Sequence, residues 1–460
     1  MTSLPVAVIG AGPVGLAAAA HLIARGLDVR VYEAGATVGA SVLDWRHVRV
    51  FSPWRSNIDP AARTILTQRG WTMPPEEDLP TGGELYDLYL RPLAETPELA
   101  RVIETNARVE AVARQSIDKV ASRGRAGRPF RLHIRQSGGC IRHDLARAVI
   151  DASGTWTQPN PLGADGLPAT GERKHADRVA YGMPDVLERD RPLYAGRRTL
   201  VVGAGYSAAN VLLDLAELAR HEPDTAITWV VRGTSLARVY GGGDADELPA
   251  RGTLGGRLRH LVQSRAIDLI TGFAITAVES DGARVALAGE TERGLQRIGP
   301  ADRIVVATGQ RPDLAMTREL RLELDPWLES TKALGPMIDP NLHSCGTVEP
   351  HGYRELSHPE PDFYTVGVKS YGRAPTFLLL TGYEQARSVA AAIAGDLAAA
   401  ADVQLLLPET GICQEPDEED RGRGSGCCGG PAPSASAGCC VADVAAKAAG
   451  ATGCGCGPAG

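Results

Sequence analysis

Val6-Ala-Val-Ile-Gly10-Ala-Gly12-Pro13-Val-Gly15, running on to Val29-Arg-Val-Tyr-Glu33, is the stretch on which the fold turns. Val6 to Ile9 is an apolar run with the length of a buried parallel strand. It breaks at Gly10 and continues as an Ala-rich helix from Leu16 to Ala24. A second short strand, Val29 to Tyr32, ends on Glu33. Gly10 permits the tight turn. Gly12 carries no Cβ, so a pyrophosphate can reach the backbone there. Gly15 lets helix and strand pack closely. The helix start at Pro13 offers free N–H groups and a positive dipole end to phosphate. Glu33, eighteen residues past Gly15, can accept hydrogen bonds from both ribose hydroxyls. Strand, glycine loop, helix, strand and terminal acid together describe a dinucleotide site.

The pattern returns at Leu200-Val-Val-Gly203-Ala-Gly205-Tyr-Ser207-Ala208, with a helix from about Ala208 to Arg220 and a strand from Ile227 to Val231. Two residues differ. Ala208 replaces the third glycine, which suits a wider helix–strand spacing. Arg232 stands where Glu33 stands in the first unit. A carboxylate there would repel a 2′-phosphate, whereas a guanidinium can grip one in a bidentate pair. The second site therefore reads as one for NADPH over NADH. A surface arginine ending a strand is the structural alternative.

Each unit is followed by an apolar strand that closes on a small-residue turn. These are Ala148-Val-Ile-Asp-Ala-Ser-Gly154 and Arg303-Ile-Val-Val-Ala-Thr308-Gly309. The order strand–helix–strand, then strand–turn, occurs twice. The implied architecture is α/β: two Rossmann-like dinucleotide-binding domains, the first built from residues 1–165 and 306–407 and the second, 166–305, inserted into it. Between the repeats, Arg108–Arg114 and Phe130–Arg135 read as strands. Phe273–Leu287 reads as a hairpin with its turn at Asp281-Gly282, and Trp45–Trp71 as a structured loop. Glu84–Ala94 reads as an amphipathic helix. Phe363–Val368 is a strand closing through Gly367, and a long helix runs from Leu380-Thr381 to about Ala400, its start near the first cofactor. Gly39 lies in a loop that would run along that cofactor.

The chain has 460 residues and a formal net charge of −7, which argues against a nucleic-acid or anionic-membrane partner. Its apolar stretches are too short to span a bilayer. Met1–Pro5 lead straight into the first strand and leave no room for a signal peptide, so the expectation is a cytoplasmic protein. From residue 408 the composition turns acidic and then rich in Gly, Ala, Pro, Ser and Cys, which cannot bury a core and predicts disorder over 408–460. Seven of the nine cysteines lie beyond residue 400, unlike a secreted disulfide framework.

The two glycine motifs with Glu33 and Arg232, and Ala307-Thr308-Gly309, resemble the flavin-dependent monooxygenases that use FAD and NADPH, over roughly residues 5–400. Gly171-Glu-Arg-Lys-His175 matches part of that family's linker signature, though Ala169 replaces its leading aromatic. With the tail included, the chain looks most like the flavoprotein monooxygenases of bacterial arsenic-resistance operons. The resemblance implies FAD on the first motif and NADPH on the second. It implies a hydride passed to flavin, a C4a-(hydro)peroxide formed with O₂, and oxygen transferred to a small-molecule substrate. It also implies flavin contacts at Gly39, Gly154, Gly367 and Thr381, and makes Arg55 and Asn57 the candidates beside the flavin that would hydrogen-bond the peroxide or hold the nicotinamide.

Two other readings stay open. A flavin disulfide reductase shares the two-site architecture but needs a redox-active cysteine pair, which only the tail could supply. The tail can also act alone: Cys427-Cys428, Cys439-Cys440 and Cys454-x-Cys456 are three close thiol pairs whose softness suits Cu(I), Zn(II) or arsenite.

Overall fold

The structure is a computed structural model and describes residues 4–341, 348–375 and 377–405. Strand β1 (Val6–Ile9) is wholly buried and leads into helix α1 (Pro13–Ala24). The helix is apolar on every side because it is enclosed on every side, with eight of its twelve residues buried. Gly26, at φ 71°, closes it in a Schellman motif, Leu27 N–H donating to Leu22 O at 3.1 Å and Gly26 N–H to Ile23 O at 2.9 Å. Strand β2 (Val29–Tyr32) pairs parallel with β1, and β3 (Ile103–Glu104) with β2. Next come β4 (Ala107–Arg114), β5 (Phe130–Gln136) and β6 (Ile141–Ala146), an antiparallel sheet of three. Strand β7 (Ala148–Asp151) then returns to the other side of β1.

The chain now crosses to a second unit. Strands β8 (Val179–Tyr181) and β9 (Arg198–Val202), helix α2 (Tyr206–His221), β10 (Ala226–Val230), helix α3 (Pro249–Gln263) and β11 (Asp268–Ile270) follow in turn. An antiparallel sheet of β12 (Ala274–Asp281), β13 (Arg284–Thr291) and β14 (Gly294–Ala301) precedes β15 (Arg303–Val306), which pairs parallel with β9 and β8. Finally β16 (Phe363–Thr365) closes the first sheet beside β7, and helix α4 (Leu379–Ile393) packs against α1.

The two parallel sheets have the orders β16-β7-β1-β2-β3 and β11-β10-β9-β15-β8. In each, the strand before the glycine loop is central, and the chain leaves it to opposite sides. Both loops thus sit at the carboxyl-edge switch point where doubly wound folds bind ligands. The hydrophobic cores divide the same way. Two clusters draw only on residues up to Ile150 and from Met316 onward; the other two draw only on Leu162–Ala307. Where the chain passes between the units it is tied to itself. Asn160 Nδ2–H donates to Thr308 O at 3.0 Å, Thr308 Oγ1–H to Asn160 O at 3.0 Å, and Asn160 N–H to Gly309 O at 2.9 Å.

Four expectations are refined. The segment Trp45–Trp71 is not loop throughout: it holds helices Trp54–Asn57 and Pro60–Thr67, the second capped by Asp59, whose carboxylate accepts the Ala62 N–H at 2.9 Å. The long C-terminal helix is two. Gly395 (φ 84°) ends the first, and Asp396 caps a short helix, Leu397–Ala401. Both antiparallel hairpins gain a third strand, β6 and β14. The predicted helix Glu84–Ala94 begins two residues earlier on the Thr81/Glu84 capping box and carries a π turn over Tyr86–Leu90.

Candidate functional site

The first cradle is shaped by what its glycines leave out. A Cβ on Gly10 (φ 95°) would stand 2.7 Å from Ala152 O, and one on Gly15 only 1.9 Å from Gly10 O. These two positions hold β1, α1 and the β7 turn in contact. A Cβ on Gly12 would meet nothing within 4 Å, so Gly12 opens onto free space at the start of α1. No side chain caps that helix and no acid stands in its first turn, which leaves its first-turn N–H groups for a ligand. Pro13 occupies a position with no N–H to lose. Glu33 does more than end β2: its carboxylate oxygens accept the N–H groups of Ala11 and Gly35, both at 2.7 Å. The acid thereby fastens the glycine loop. Gly39 (φ 59°) is drawn to the loop by its N–H bond to Ala11 O at 2.9 Å.

The back of the cradle comes from distant sequence. Gly367 (φ 74°) packs on Val14, and its N–H donates to the buried Gln385 Oε1 at 2.8 Å. Gln385 Nε2 in turn lies 3.0 Å from His351 Nε2. Helix α4 begins here without a side-chain cap, Thr381 in its first turn is buried, and Gly382 leaves room for Val14. Under Gly154 (φ 70°) lies a buried ion pair, Lys369 Nζ to Asp151 Oδ2 at 2.7 Å. Lys369 also donates to Ser153 Oγ at 3.0 Å, and that hydroxyl donates to Asp151 Oδ1 at 2.6 Å. Sequence reading missed this trio. Its one signal was an acid at the end of the apolar strand Ala148–Asp151 and a lysine in the glycine turn Gly367–Tyr371.

The second cradle repeats the first. A Cβ on Gly203 (φ 133°) would sit 2.2 Å from Ala307 O, while one on Gly205 would meet nothing within 4 Å. Ala307 thus stands to Gly203 as Ala152 stands to Gly10. Trp229 Nε1–H donates to Gly203 O at 2.7 Å and fixes the loop. The methyl of Ala208 is fully buried, and Ser207 lies half-buried in the first turn of α2, which has neither cap nor acid. Arg232 is exposed beyond β10 and donates to Ala164 O at 2.7 Å. Thr308 and Gly309 form the crossing tie described above.

The two units meet at Phe51, whose ring centroid is 5.2 Å from that of Tyr206, the residue after Gly205. Arg251 lies 5.9 Å over the Phe51 ring and is held by two 2.7 Å bonds to Asp246. Burial raises the Tyr206 hydroxyl above its ordinary pKa. The two residues expected beside the cofactor, Arg55 and Asn57, lie on the short helix Trp54–Asn57, which is tied to α4 by the Tyr383 hydroxyl donating to Asn57 O at 2.8 Å. Asn57 is buried, and both amide hydrogens are spent on Ser52 O (2.7 Å) and Pro53 O (2.9 Å), leaving no spare donor. Arg55 faces Glu77 at the surface in an ion pair. The tail cysteines Cys427, Cys428, Cys439, Cys440, Cys454 and Cys456 lie outside the described residues.

Two switch-point cradles, one on a sheet inserted into the other, define the class of two-nucleotide flavoproteins. The chain belongs to the pyridine nucleotide-disulphide oxidoreductase family, which it matches over residues 7–335. Among curated proteins it is similar to the flavin-containing monooxygenase FMO GS-OX-like 2 of Arabidopsis thaliana, 25% identical over 245 residues, 48% of each chain. The chain spans about half the length of the curated relatives it matches. Among solved structures it resembles the bacillithiol disulfide reductase Bdr of Bacillus cereus, with TM-score 0.62 and 18% identity over 86% of this chain and 99% of that one. It also resembles DfoA, the FAD-bound cadaverine monooxygenase of Erwinia amylovora, with TM-score 0.59 and 13% identity over 90% and 100%. These structural likenesses carry the fold. Among the described residues no helix is long and apolar enough to cross a membrane.

Proposed function

We propose that the chain is an NADPH-dependent FAD monooxygenase acting on a small molecule, the FAD seated on Gly10–Gly15 and NADPH on Gly203–Ala208. The observation that carries this reading is the opposed charge at the two strand ends. Glu33 presents a carboxylate to a ribose bearing both hydroxyls, and Arg232 a guanidinium to a ribose bearing a phosphate. When bound, the flavin supplies hydride acceptance and oxygen activation. Gly12 and the start of α1 would hold its pyrophosphate, Glu33 its ribose, and the uncapped start of α4 would stabilise negative charge on its ring. The overall reaction consumes NADPH, O₂ and a proton and yields NADP⁺, water and the oxygenated substrate.

The choice between oxygenation and thiol exchange rests on cysteine placement. Cys140, exposed, is the one cysteine among the described residues, so none of these supplies a dithiol to the first cradle. Disulfide reduction through the tail is the second reading, favoured by the paired tail thiols. Those same pairs support capture of a soft metalloid such as arsenite, and with it a link to arsenic resistance. NADPH oxidation and peroxide release, measured with and without arsenite or an organoarsenical, test both. Oxidation that rises without matching peroxide supports coupled oxygenation. Activity that needs residues 408–460 and consumes a disulfide without O₂ overturns the monooxygenase reading.

A further inference from the structure

Helices α2 and α3 of the inserted unit part around a cavity of about 760 Å³, within the size range of small-molecule sites. No residue of either glycine loop lines it. Its floor is apolar: Leu213 and Ala216 from α2, Leu261 from α3, and Ala266 beyond. Three glycines interrupt α3, and two have a packing reason. A Cβ on Gly252 would lie 2.2 Å from Gly243 O, and one on Gly255 would lie 1.9 Å from Tyr240 O. Gly256 has none, because its Cβ would meet nothing within 4 Å. A glycine inside a helix is unfavourable without such a reason, and this one leaves a notch in the cavity wall.

The rim is charged, and its carboxylates are spent. Glu217 pairs with Arg220 at 2.7 Å and with His221 at 3.3 Å, and Asp246 with Arg251. The side chains of Arg257 and His260, one helical turn apart and both exposed, make no hydrogen bond or ion pair with a described residue. The carboxyl that feels Arg257 is Asp214 on α2. An apolar floor under the Arg257 guanidinium, which makes no ion pair with a described residue, selects a ligand with one apolar body and one anionic head.

We propose that this cavity binds an amphipathic monoanion, its aliphatic or aryl body on Leu213, Ala216 and Leu261 and its carboxylate at Arg257 beside His260. The site is separate from both nucleotide cradles, so its test does not depend on the reaction catalysed. Decanoate, titrated calorimetrically into the full-length flavin-loaded protein, is the probe, with decanol and decylamine as neutral and cationic controls. Saturable one-to-one binding of decanoate is expected. Gly256→Leu, which fills open space in a helix, should weaken it at least tenfold with no loss of thermal stability. Arg257→Gln should weaken decanoate about tenfold and leave decanol unchanged, the loss typical of one charge-assisted hydrogen bond. Equal binding of decylamine and decanoate, or unchanged affinity in Gly256→Leu, overturns the proposal. So does a dimer in sedimentation that Gly256→Leu dissociates, since a second copy would then be the occupant.

Discussion

Phe51 and Tyr206 lie on different nucleotide units, 155 residues apart in sequence, yet their ring centroids stand 5.2 Å apart at an interplanar angle of 57°. An aromatic pair in this tilted arrangement contributes about 0.5–1.5 kcal/mol beyond its buried area. Because Tyr206 opens helix α2, the contact fixes the second glycine loop relative to the first. Phe51→Leu keeps the apolar bulk and removes the ring. Its KM for NADPH should rise about two- to tenfold while flavin absorbance per protein stays constant. Loss of flavin instead would place Phe51 in service of the first cradle.

The glycines of the first loop should separate folding from binding. Gly12→Val introduces a side chain into open space. Its stability without flavin should stay within about 0.5 kcal/mol of the parent, yet the purified protein should be colourless. Gly10→Ala meets Ala152 O and a positive φ together, at a cost of about 1–3 kcal/mol. It should lower the midpoint of urea denaturation even without flavin. If both variants lose flavin and stability together, the space over Gly12 is not the phosphate seat.

Arg232 should discriminate between nucleotides. A charge-assisted hydrogen bond contributes about 1.5–3 kcal/mol. Arg232→Ala should therefore raise the KM for NADPH about 10–100-fold and leave that for NADH nearly unchanged. Steady-state kinetics with both reductants measure this, and equal effects on the two would remove Arg232 from the phosphate subsite.

Stability should fall in acid through buried histidines. Burial holds the His358 imidazole down at about 4, and its Nδ1 accepts the Glu323 N–H at 3.3 Å, which requires the neutral ring. The folded value lies below the unfolded one of about 6.5. The stability tied to the neutral ring is thus complete above the unfolded value and is lost as pH falls from 6.5 toward 4, by an amount of order 1–3 kcal/mol. Burial pushes His351 in the same direction. Urea unfolding at pH 7 and 4.5 should show the loss, and His358→Gln should flatten it in part. An unchanged slope in the variant would exclude His358 as a source.

The strand–helix–strand units were readable because each joins three local signals: an apolar run, fixed glycine spacing and a charged strand end. That pattern marks Glu33 and Arg232 as the charged strand ends. The Lys369–Asp151–Ser153 trio was not, since Lys369 and Ser153 are 216 residues apart and meet only when β16 closes beside β7. Strand β14 shows mostly exposed positions and so carries no apolar alternation to read. Residue type alone points to Arg55 and Asn57 in a Trp- and Pro-rich stretch. Their contacts are set by the local helix Trp54–Asn57, which turns Asn57 inward onto its own backbone and Arg55 out to Glu77.

The reciprocal bonds between Asn160 and Thr308 have a consequence for the making of such a chain. Entry to and exit from the inserted unit lie side by side, and the cores on either side share no residue. A gene lacking the codons for 161–307, its ends joined by a short linker, should still encode a folded, flavin-coloured protein that no longer responds to NADPH. If so, the insert is a cassette, and reductant specificity should be exchangeable by transplantation between chains without redesign of the host.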